Sequence, residues 1–302
     1  LADCYENIKR YVDYVDRTSP TGLTSWGRGD WVPVKSHSSK ELTSSVYFYV
    51  DTKILANAAK MFNKTEDYKY YSALANKIKN AINDKFLNRE TGIYGSGVQT
   101  EQSVPLQWGI VPEELKRKVA RNLAKQVEAA GFHLDVGVLG AKAILNALSE
   151  NGEAETAYKL AAQDTYPSWG CWIANTTLLE NWDLNATRDI SDNHMMFGEI
   201  GGWFYKGLGG IFPDPENPGF KHILLRPNFP SGLNELEARY QSPYGEICSK
   251  WERKKNRIVY HVTVPANSTA TFYAPDNVKG ERAVNLEAGK HILELPIKRA
   301  VY

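Results

Sequence analysis

A glutamate set among aromatic residues and threonines is the first candidate for chemistry in this sequence. The segment NTTLLENWDLNA, residues 175–186, places Glu180 two residues before Trp182 and follows the run PSWGCW. One explanation is structural, because Thr177 and Glu180 fit the T-x-x-E capping box, in which a glutamate reaches back to the start of its own helix. The other explanation is that this carboxylate acts as an acid or a base on a bound ligand.

Three further loops combine a carboxylate or a histidine with glycine or tryptophan. They are residues 24–34, 95–103 and 131–140, and their candidates are Trp26, Asp30, Trp31, Glu101, His133 and Asp135. Taken singly, each candidate has a structural explanation. Asp30 could accept hydrogen bonds from turn amides, and His133 could be a partly buried histidine with satisfied nitrogens. Their recurrence between helical segments is what favours a shared function.

Aromatic rings and carboxylates together suit the cleavage of a glycosidic bond. The flat faces of Trp and Tyr pack against the C–H side of a pyranose, while one carboxylic acid protonates the leaving oxygen and a second carboxylate activates water. Aromatic residues make up 12% of the chain, with 8 Trp and 17 Tyr. If alternate loops of a helical ring meet at one mouth, these rings and carboxylates gather there. The sequence therefore favours a sugar-binding cleft.

Composition argues against several other classes of function. The chain carries 36 Lys and Arg against 35 Asp and Glu, so we expect no basic surface for nucleic acid or anionic lipid. Cys4, Cys171 and Cys248 lie far apart, which predicts neither a disulfide framework nor a zinc site. The six histidines include no H-x-x-x-H pair, and the sequence has no G-x-S-x-G motif. We therefore expect no metal and no cofactor.

The hydrophobic period divides the chain into two expected domains, 1–211 and 212–302. The first part repeats apolar positions every three or four residues, which predicts helical hairpins; the segments are 1–15, 43–62, 67–87, 114–131, 139–152, 153–164 and 194–211. The proline-rich stretch FPDPENPGF is typical of a linker, and the short alternating runs after it predict an antiparallel β-sandwich. Seven to nine helices are fewer than a ring of six hairpins needs, so we expect a smaller assembly or part of a larger ring.

Several ordered motifs give the chain a family resemblance. YPSWG, NTTLLENWD and NHMMFGEIGGWFYKGLGGI resemble the bacterial α-L-rhamnosidases of glycoside hydrolase family 78. GDW at 29–31, KELTSSVYFY at 40–49 and GFHLDVGVLG at 131–140 fit the same family in the same order, as do PGFKHILLRPNF and QSPYGEICSKWER near the end. The resemblance implies an incomplete (α/α)6-type helical barrel followed by a β-sandwich, an inverting mechanism, and a rhamnose-containing glycoside, oligosaccharide or polysaccharide as substrate.

The same resemblance implies roles for individual residues. Glu180 corresponds to the general base that activates water. Trp31, together with Asp30, corresponds to the rhamnose subsite, and His194 to the histidine of an Asn-His-x-x-Phe-Gly motif that contacts the sugar. Trp182 is expected to contact the substrate as well, whereas His133 is placed near the mouth without a role.

Two departures from the family pattern concern the subsite and the general acid. Ala174 and Asn175 stand where the family has Gly-Ala, and Leu179 and Asn181 flank the glutamate in place of Trp and Arg. The Asp-Arg-x-Glu-x-x-Gly-Trp-type motif that carries the family's general acid does not occur in the sequence. We therefore expect the acid in a segment N-terminal to this chain, with the remainder of the catalytic domain as its partner. A periplasmic or extracellular location is expected.

Three alternatives remain at this point. The chain could be a carbohydrate-binding fragment that does not cleave its ligand. Asp30 could act as the acid to the base Glu180, so that both carboxylates come from this chain. Another α/α-barrel hydrolase or lyase that acts on a different sugar would show the same general pattern.

Overall fold

Helices fill the first two thirds of residues 2–298, which are the residues that the computed structural model describes, and strands fill the rest. The helices are α1 (Tyr5–Thr18), α2 (Lys40–Met61), α3 (Thr65–Phe86), α4 (Gln99–Gln107), α5 (Lys116–Ala129), α6 (Val138–Glu150), α7 (Ala154–Ala161) and α8 (Glu199–Trp203). A π-helical turn, Phe204–Leu208, continues α8, and short 3-10 turns span Ala2–Cys4, Glu113–Leu115, Gly170–Asn175 and Met195–Phe197. A two-residue hairpin, β1 (Leu87–Asn88) with β2 (Ile93–Tyr94), joins α3 to α4.

The helices form an inner and an outer row. In the inner row α2 packs against α4, α4 against α6 and α6 against α8, while α3, α5 and α7 pack outside their partners. The outer helix α5 buries one apolar stripe, whereas the inner helices α4 and α6 are buried on nearly every side. This difference follows from position, because an outer helix has one face in water and an inner helix has neighbours all round. The predicted helical part is confirmed.

Helix α4 is a correction to the sequence-based expectation. Residues 95–103 were expected to be a loop, but the helix begins at Gln99 and buries Gln99, Thr100, Glu101, Gln102 and Ser103. These residues are polar, so the segment shows no amphipathic period from which a helix could be predicted. Their side chains are buried because α2, α5 and α6 surround α4.

The loops that lead into α2, α4, α6 and α8 lie at one end of the helical part. Each of them precedes the N-terminus of an inner helix, and the inner helices lie side by side. These are residues 19–39, 87–98, 130–137 and 162–198, which contain the candidates chosen from the sequence, apart from Glu101, which lies in the first turn of α4. We call this end the mouth.

The C-terminal part is a sandwich of two four-stranded sheets. Its strands are β3 (Ile211–Pro213), β4 (His222–Leu225), β5 (Glu235–Ser242), β6 (Gly245–Lys254), β7 (Arg257–Val264), β8 (Thr269–Tyr273), β9 (Ala283–Leu286) and β10 (Gly289–Pro296). One sheet has the order β10-β7-β6-β5 and is fully antiparallel; the other has the order β3-β4-β8-β9. One apolar core with Trp251, Tyr260 and Phe272 lies between them. The predicted sandwich is confirmed, with β4 and β8 as a parallel pair.

The two parts are joined by buried hydrogen bonds. Ser249 Oγ donates to the carbonyl of Gly209 at 2.6 Å, and Trp251 Nε1 donates to the carbonyl of Leu208 at 3.3 Å. The stretch FPDPENPGF was expected to be a linker, but its first two residues, Phe212 and Pro213, belong to strand β3. The domain boundary at residue 211 stays a prediction, and Ile211 itself packs in the core of the sandwich.

Across residues 2–298, none of the helices has the length and apolar character needed to span a lipid bilayer.

Candidate active site

Hydrogen bonds from carboxylates tie the loops of the mouth to one another. Asp135 Oδ1 accepts hydrogen bonds from the backbone N–H groups of Lys35 and Ser36, both at 2.9 Å, and Oδ2 accepts one from Ser36 Oγ at 2.6 Å. About a hundred residues of chain separate these partners, so the contact joins the loop before α6 to the loop before α2. The expected meeting of these two loops is confirmed, and the hydrogen bonds of Asp135 hold them together.

Asp30 holds the start of α6. Its Oδ2 accepts hydrogen bonds from Thr100 Oγ1 at 2.5 Å and from the N–H of Gly137 at 2.8 Å, and its Oδ1 accepts from Leu139 at 2.7 Å and Gly140 at 3.3 Å. A carboxylate at a helix N-terminus is favoured by the unpaired N–H groups and by the helix dipole. Burial raises the pKa of Asp30, and these four hydrogen bonds oppose the rise.

This geometry corrects the expected role of Asp30. Both of its oxygens are occupied by protein donors. Neither Asp30 nor Glu180 is among the residues that line the cleft described below, so the hydrogen bonds of Asp30 decide its role. The carbonyl of the next residue, Trp31, accepts a hydrogen bond from the N–H of Val138 at 2.9 Å. The start of α6 therefore holds the backbone of Trp31 as well as the side chain of Asp30. Asp30 therefore positions Trp31 instead of contacting a sugar, and the alternative in which it serves as the acid loses its support.

Glu101 and His133 also have structural roles. Glu101 is 2% exposed; its Oε1 accepts from the N–H of Ser39 at 2.7 Å, and its Oε2 from the N–H and Oγ of Ser96 at 2.7 and 2.8 Å. The backbone of Gly95 has φ +54°, and a Cβ there would lie 2.5 Å from Glu101 Oε2, so this turn requires glycine. His133 contacts the carbonyl of Ala130 and, at 2.8 Å, the hydroxyl of Thr165.

Trp182 lies in an aromatic core beneath the last loop. It is 0% exposed, stacks on Trp172 with ring centroids 4.5 Å apart and an interplanar angle of 13°, and packs against Phe197, also at 4.5 Å. The rings of Trp169 and Trp182 meet edge to face with centroids 5.8 Å apart, and Trp182 Nε1 donates to the carbonyl of Val136 at 2.8 Å. The expected contact between Trp182 and substrate is wrong, because neighbouring side chains leave no part of its ring accessible to a sugar.

Glu180 lies on an irregular segment. Residues 178–180 run alongside 191–194, since the N–H of His194 donates to the carbonyl of Leu178 at 2.8 Å and the N–H of Glu180 donates to that of Ser191 at 2.9 Å. No helix begins at Thr177, so the capping-box explanation is wrong. Glu180 Oε2 accepts one hydrogen bond, from the N–H of Ser191 at 3.2 Å, and Oε1 accepts none from the part of the chain that the structure describes.

Comparison of the four carboxylates chosen from the sequence, Asp30, Glu101, Asp135 and Glu180, singles out Glu180. Asp30, Glu101 and Asp135 each have both oxygens bonded to protein donors, whereas Glu180 is half-buried and has one oxygen without a donor among residues 2–298. A carboxylate that acts on water needs such an oxygen. Of these four, Glu180 alone can meet that need without breaking a contact that holds the mouth together.

His194 presents one ring nitrogen to a ligand. Its Nδ1 accepts a hydrogen bond from the N–H of Met196 at 3.3 Å, which in the neutral ring places the proton on Nε2. Nε2 has no partner within residues 2–298, so it is available to donate to a sugar hydroxyl. Met196 lines the cleft, so His194 lies two residues from a cleft wall.

An apolar cleft of about 570 Å³ opens at the mouth. Its lining combines α1, the loop before α2, the first turns of α2 and α6, and one residue before α8; the residues are Tyr11, Val15, Thr24, Trp26, Gly27, Arg28, Gly29, Trp31, Thr43, Ser44, Tyr47, Phe48, Val138, Leu139 and Met196. This volume lies within the usual range for a small-ligand site, and largely apolar walls suit the C–H face of a pyranose. Of the five tryptophans expected to gather at the mouth, Trp26 and Trp31 line this cleft, whereas Trp169, Trp172 and Trp182 are buried and do not line it.

Sequence reasoning missed the contribution of α2 to this cleft. Thr43, Ser44, Tyr47 and Phe48 all line it and follow the three- and four-residue spacing of one helix face. The signal available in the sequence was this face of α2, which combines hydroxyl groups with aromatic rings, as a sugar-binding wall does. Ser44 Oγ is buried without a hydrogen-bond partner in the described part of the chain, so it has a free donor and acceptor at the wall.

Within residues 2–298 no group of three or more His, Cys, Asp or Glu side chains is arranged to hold a metal ion.

Known proteins resemble both parts of the chain. Residues 1–208 match the family described as the bacterial alpha-L-rhamnosidase 6 hairpin glycosidase domain, and residues 210–289 match the bacterial alpha-L-rhamnosidase C-terminal domain. An alpha-L-rhamnosidase of Formosa agariphila is 29% identical over 303 residues, which cover 94% of this chain and 32% of the relative.

Two solved structures are similar over nearly the whole chain. The alpha-L-rhamnosidase from Dictyoglumus thermophilum has 32% identity and a TM-score of 0.88, covering 98% of this chain and 37% of that one. The Streptomyces avermitilis alpha-L-rhamnosidase complexed with L-rhamnose has 27% identity and a TM-score of 0.83, covering 98% and 30%. The chain thus spans about a third of the length of the proteins it matches. From the family match over residues 1–208, the chain belongs to the bacterial α-L-rhamnosidases.

Proposed function

We propose that this chain forms the base-carrying part of an inverting α-L-rhamnosidase, with Glu180 as the general base. The observation that carries the proposal is the oxygen of the half-buried Glu180 that has no donor within residues 2–298, whereas both oxygens of Asp30, Glu101 and Asp135 are bonded to protein donors. Trp31 and His194 support it, since one lines the apolar cleft and the other has an unused ring nitrogen near its wall. The relative of known structure that holds L-rhamnose supports the choice of sugar.

The proposed reaction is a single displacement at the anomeric carbon. Glu180 accepts a proton from water while the water oxygen forms a bond to the anomeric carbon, and the bond from that carbon to the leaving oxygen breaks. A carboxylic acid on the other side of the sugar donates its proton to the leaving oxygen. Inversion requires space for water between the carboxyl groups, which in such enzymes lie about 6.5–9.5 Å apart.

We further propose that the general acid lies outside residues 1–302, in the remainder of the catalytic domain. To serve as the acid, Asp30 would have to give up two hydrogen bonds to free one oxygen, and Glu101 and Asp135 at least one each. Such a change would open the contacts that hold the mouth together. The partner of this chain in catalysis is then a segment of the same catalytic domain.

The test is a Glu180→Gln substitution in the catalytic domain that contains this chain. We expect hydrolysis of 4-nitrophenyl α-L-rhamnopyranoside to slow by roughly 10²–10⁴-fold, the usual contribution of a positioned base. Binding of methyl α-L-rhamnopyranoside is expected to change little, because Gln keeps the size of the side chain. Proton NMR of the first product formed is expected to show the inverted anomer.

Asp183→Asn is the matched control for this test. Asp183 lies on the same loop, is exposed, and accepts one hydrogen bond, from the N–H of Asn185 at 2.9 Å. Its loss should leave the rate near that of the wild type. A near-wild-type rate for Glu180→Gln would remove Glu180 from the mechanism, and a retained anomer as first product would exclude inversion.

The second candidate is a carbohydrate-binding fragment. It is favoured by the full hydrogen bonding of Asp30, Glu101 and Asp135, which leaves Glu180 as the one member of these four candidates with an oxygen that has no donor within residues 2–298. This candidate predicts that the 302-residue chain binds methyl α-L-rhamnopyranoside by calorimetry and releases no rhamnose from the nitrophenyl glycoside. This candidate would be contradicted if the isolated chain hydrolysed the glycoside and the Glu180→Gln substitution abolished that hydrolysis.

A further inference from the structure

One charged side chain, Arg28, lines the cleft. The other fourteen lining residues within the described chain are glycine, apolar, aromatic or hydroxyl-bearing. Arg28 is exposed, and its guanidinium carbon lies 5.4 Å from the centroid of the Trp31 ring. A cation over an aromatic face is held by the ring quadrupole. The cleft therefore has a single, oriented positive charge beside the ring proposed for the rhamnose subsite.

The N–H groups of Arg28 have no protein acceptor in residues 2–298. No carboxylate there forms an ion pair with its guanidinium. The nearest acid in sequence is Asp30, whose oxygens are bonded to Thr100 and to the start of α6. The guanidinium N–H groups of Arg28, a cleft-lining residue, are therefore available to donate to a ligand.

The chemistry of the guanidinium indicates what it would bind. Its planar fork matches the two oxygens of a carboxylate, and charge-assisted pairs of this kind are stronger than neutral hydrogen bonds. Rhamnose itself has no ionised group, so a carboxylate in the cleft must belong to the unit next to it. With a net charge of +1 the whole chain exerts little long-range attraction on anions, so the selectivity must come from contact with Arg28.

We propose that the cleft accepts rhamnose attached to an acidic sugar, a uronic acid, and that Arg28 is the residue that reads its carboxylate. This inference rests on the proposed function, because it assumes that rhamnose occupies the neighbouring subsite. The arginine is a specificity residue and takes no part in the proton transfers assigned to Glu180.

The experiment compares an acid with its neutral form at one linkage. Binding of α-L-rhamnosyl-glucuronic acid and of its methyl ester is measured by calorimetry at neutral pH, with methyl α-L-rhamnopyranoside and methyl glucuronide as single-sugar probes. The protein is the catalytic domain that contains this chain, with Glu180→Gln to prevent hydrolysis. Because Arg28 is exposed, we expect the acid to bind roughly 2- to 5-fold more tightly than the ester, the range for one solvent-exposed ion pair.

Two substitutions assign that preference to the arginine. Arg28→Gln should abolish the preference for the acid while leaving binding of the ester unchanged, and Arg28→Lys should keep a part of it, since a lysine supplies charge without the planar fork. Arg17→Gln is the matched control: Arg17 is exposed, lies 5.6 Å from the centroid of the Tyr14 ring, and does not line the cleft. It should preserve the full preference.

Each outcome separates this inference from the proposed function. Equal binding of acid and ester, with methyl rhamnoside still bound, overturns the role of Arg28 and leaves the rhamnosidase proposal intact. A preference that survives Arg28→Gln also overturns the role of Arg28. If methyl glucuronide binds through Arg28 and neither rhamnoside nor ester binds, the rhamnose subsite is wrong while the carboxylate site stands. Failure of all four probes to bind overturns both.

Discussion

Replacement of Asp30 by alanine is the sharpest test of how the mouth is assembled. The substitution removes the acceptor of four hydrogen bonds, three of them from the N–H groups of Gly137, Leu139 and Gly140 at the start of α6. The fourth donor, Thr100 Oγ1, belongs to α4. One side chain thus joins three separate stretches of the helical part, and its loss leaves their donors without a partner.

The expected loss of stability follows from these contacts. At the low end of the range for hydrogen bonds to a charged group, about 1.5 kcal/mol each, four bonds contribute about 6 kcal/mol. Burial raises the pKa of Asp30, which shows that desolvation of the carboxylate offsets part of this gain. We therefore expect Asp30→Ala to lower the free energy of unfolding by about 3–4 kcal/mol. Asp30→Asn should cost about 2 kcal/mol, because one oxygen can still accept.

Urea denaturation followed by tryptophan fluorescence measures both values. Asp183→Asn is the control, since its carboxylate accepts one hydrogen bond from a neighbouring turn, and it should change the stability by less than about 0.5 kcal/mol. Sugar binding by Asp30→Asn should weaken as well, because the backbone of Trp31 is bonded to the same helix start. If Asp30→Ala is as stable as the wild type but no longer binds sugar, Asp30 contacts the ligand and the anchoring argument is refuted.

Substitutions at two further positions test the packing and the electrostatics. Trp182→Ala should lower the free energy of unfolding by about 3–5 kcal/mol in the same urea assay, with a smaller loss for Trp182→Phe; unchanged stability with lost sugar binding would instead place the ring at the surface. The hydrogen bond from Lys9, assisted by one from Tyr5, holds the pKa of Asp67 below its ordinary value, although burial opposes this. A carboxyl whose pKa is lower in the folded than in the unfolded state stabilises the folded protein at pH values above its unfolded-state pKa. Asp67→Asn should therefore lower the free energy of unfolding by about 1 kcal/mol at neutral pH and by progressively less below about pH 4. A difference that is constant down to about pH 2 would contradict this.

The outer helices and the strands could be predicted because their patterns are local. Helix α5 shows its apolar stripe in sequence, with Val119, Leu123 and Val127 on one face. Strand β7 alternates the buried Ile258, Tyr260, Val262 and Val264 with the less buried Val259, His261 and Thr263. Each element faces water on one side and the core on the other, so its period records its burial. The motif resemblance likewise predicted the family, which the matches over residues 1–208 and 210–289 confirm.

The sequence alone determined that two differently patterned parts follow each other, and which loops carry aromatic rings and carboxylates. The roles of those carboxylates were decided by tertiary structure, because the donors that occupy them come from distant chain segments: Asp30 meets Gly137 across 107 residues, and Glu101 meets Ser39 across 62. The same holds for Trp182, whose accessibility depends on Trp172 and Phe197 packing against it. A residue type and its neighbours in sequence fix what a side chain can do; long-range contacts fix whether its oxygen or ring face remains free to do it.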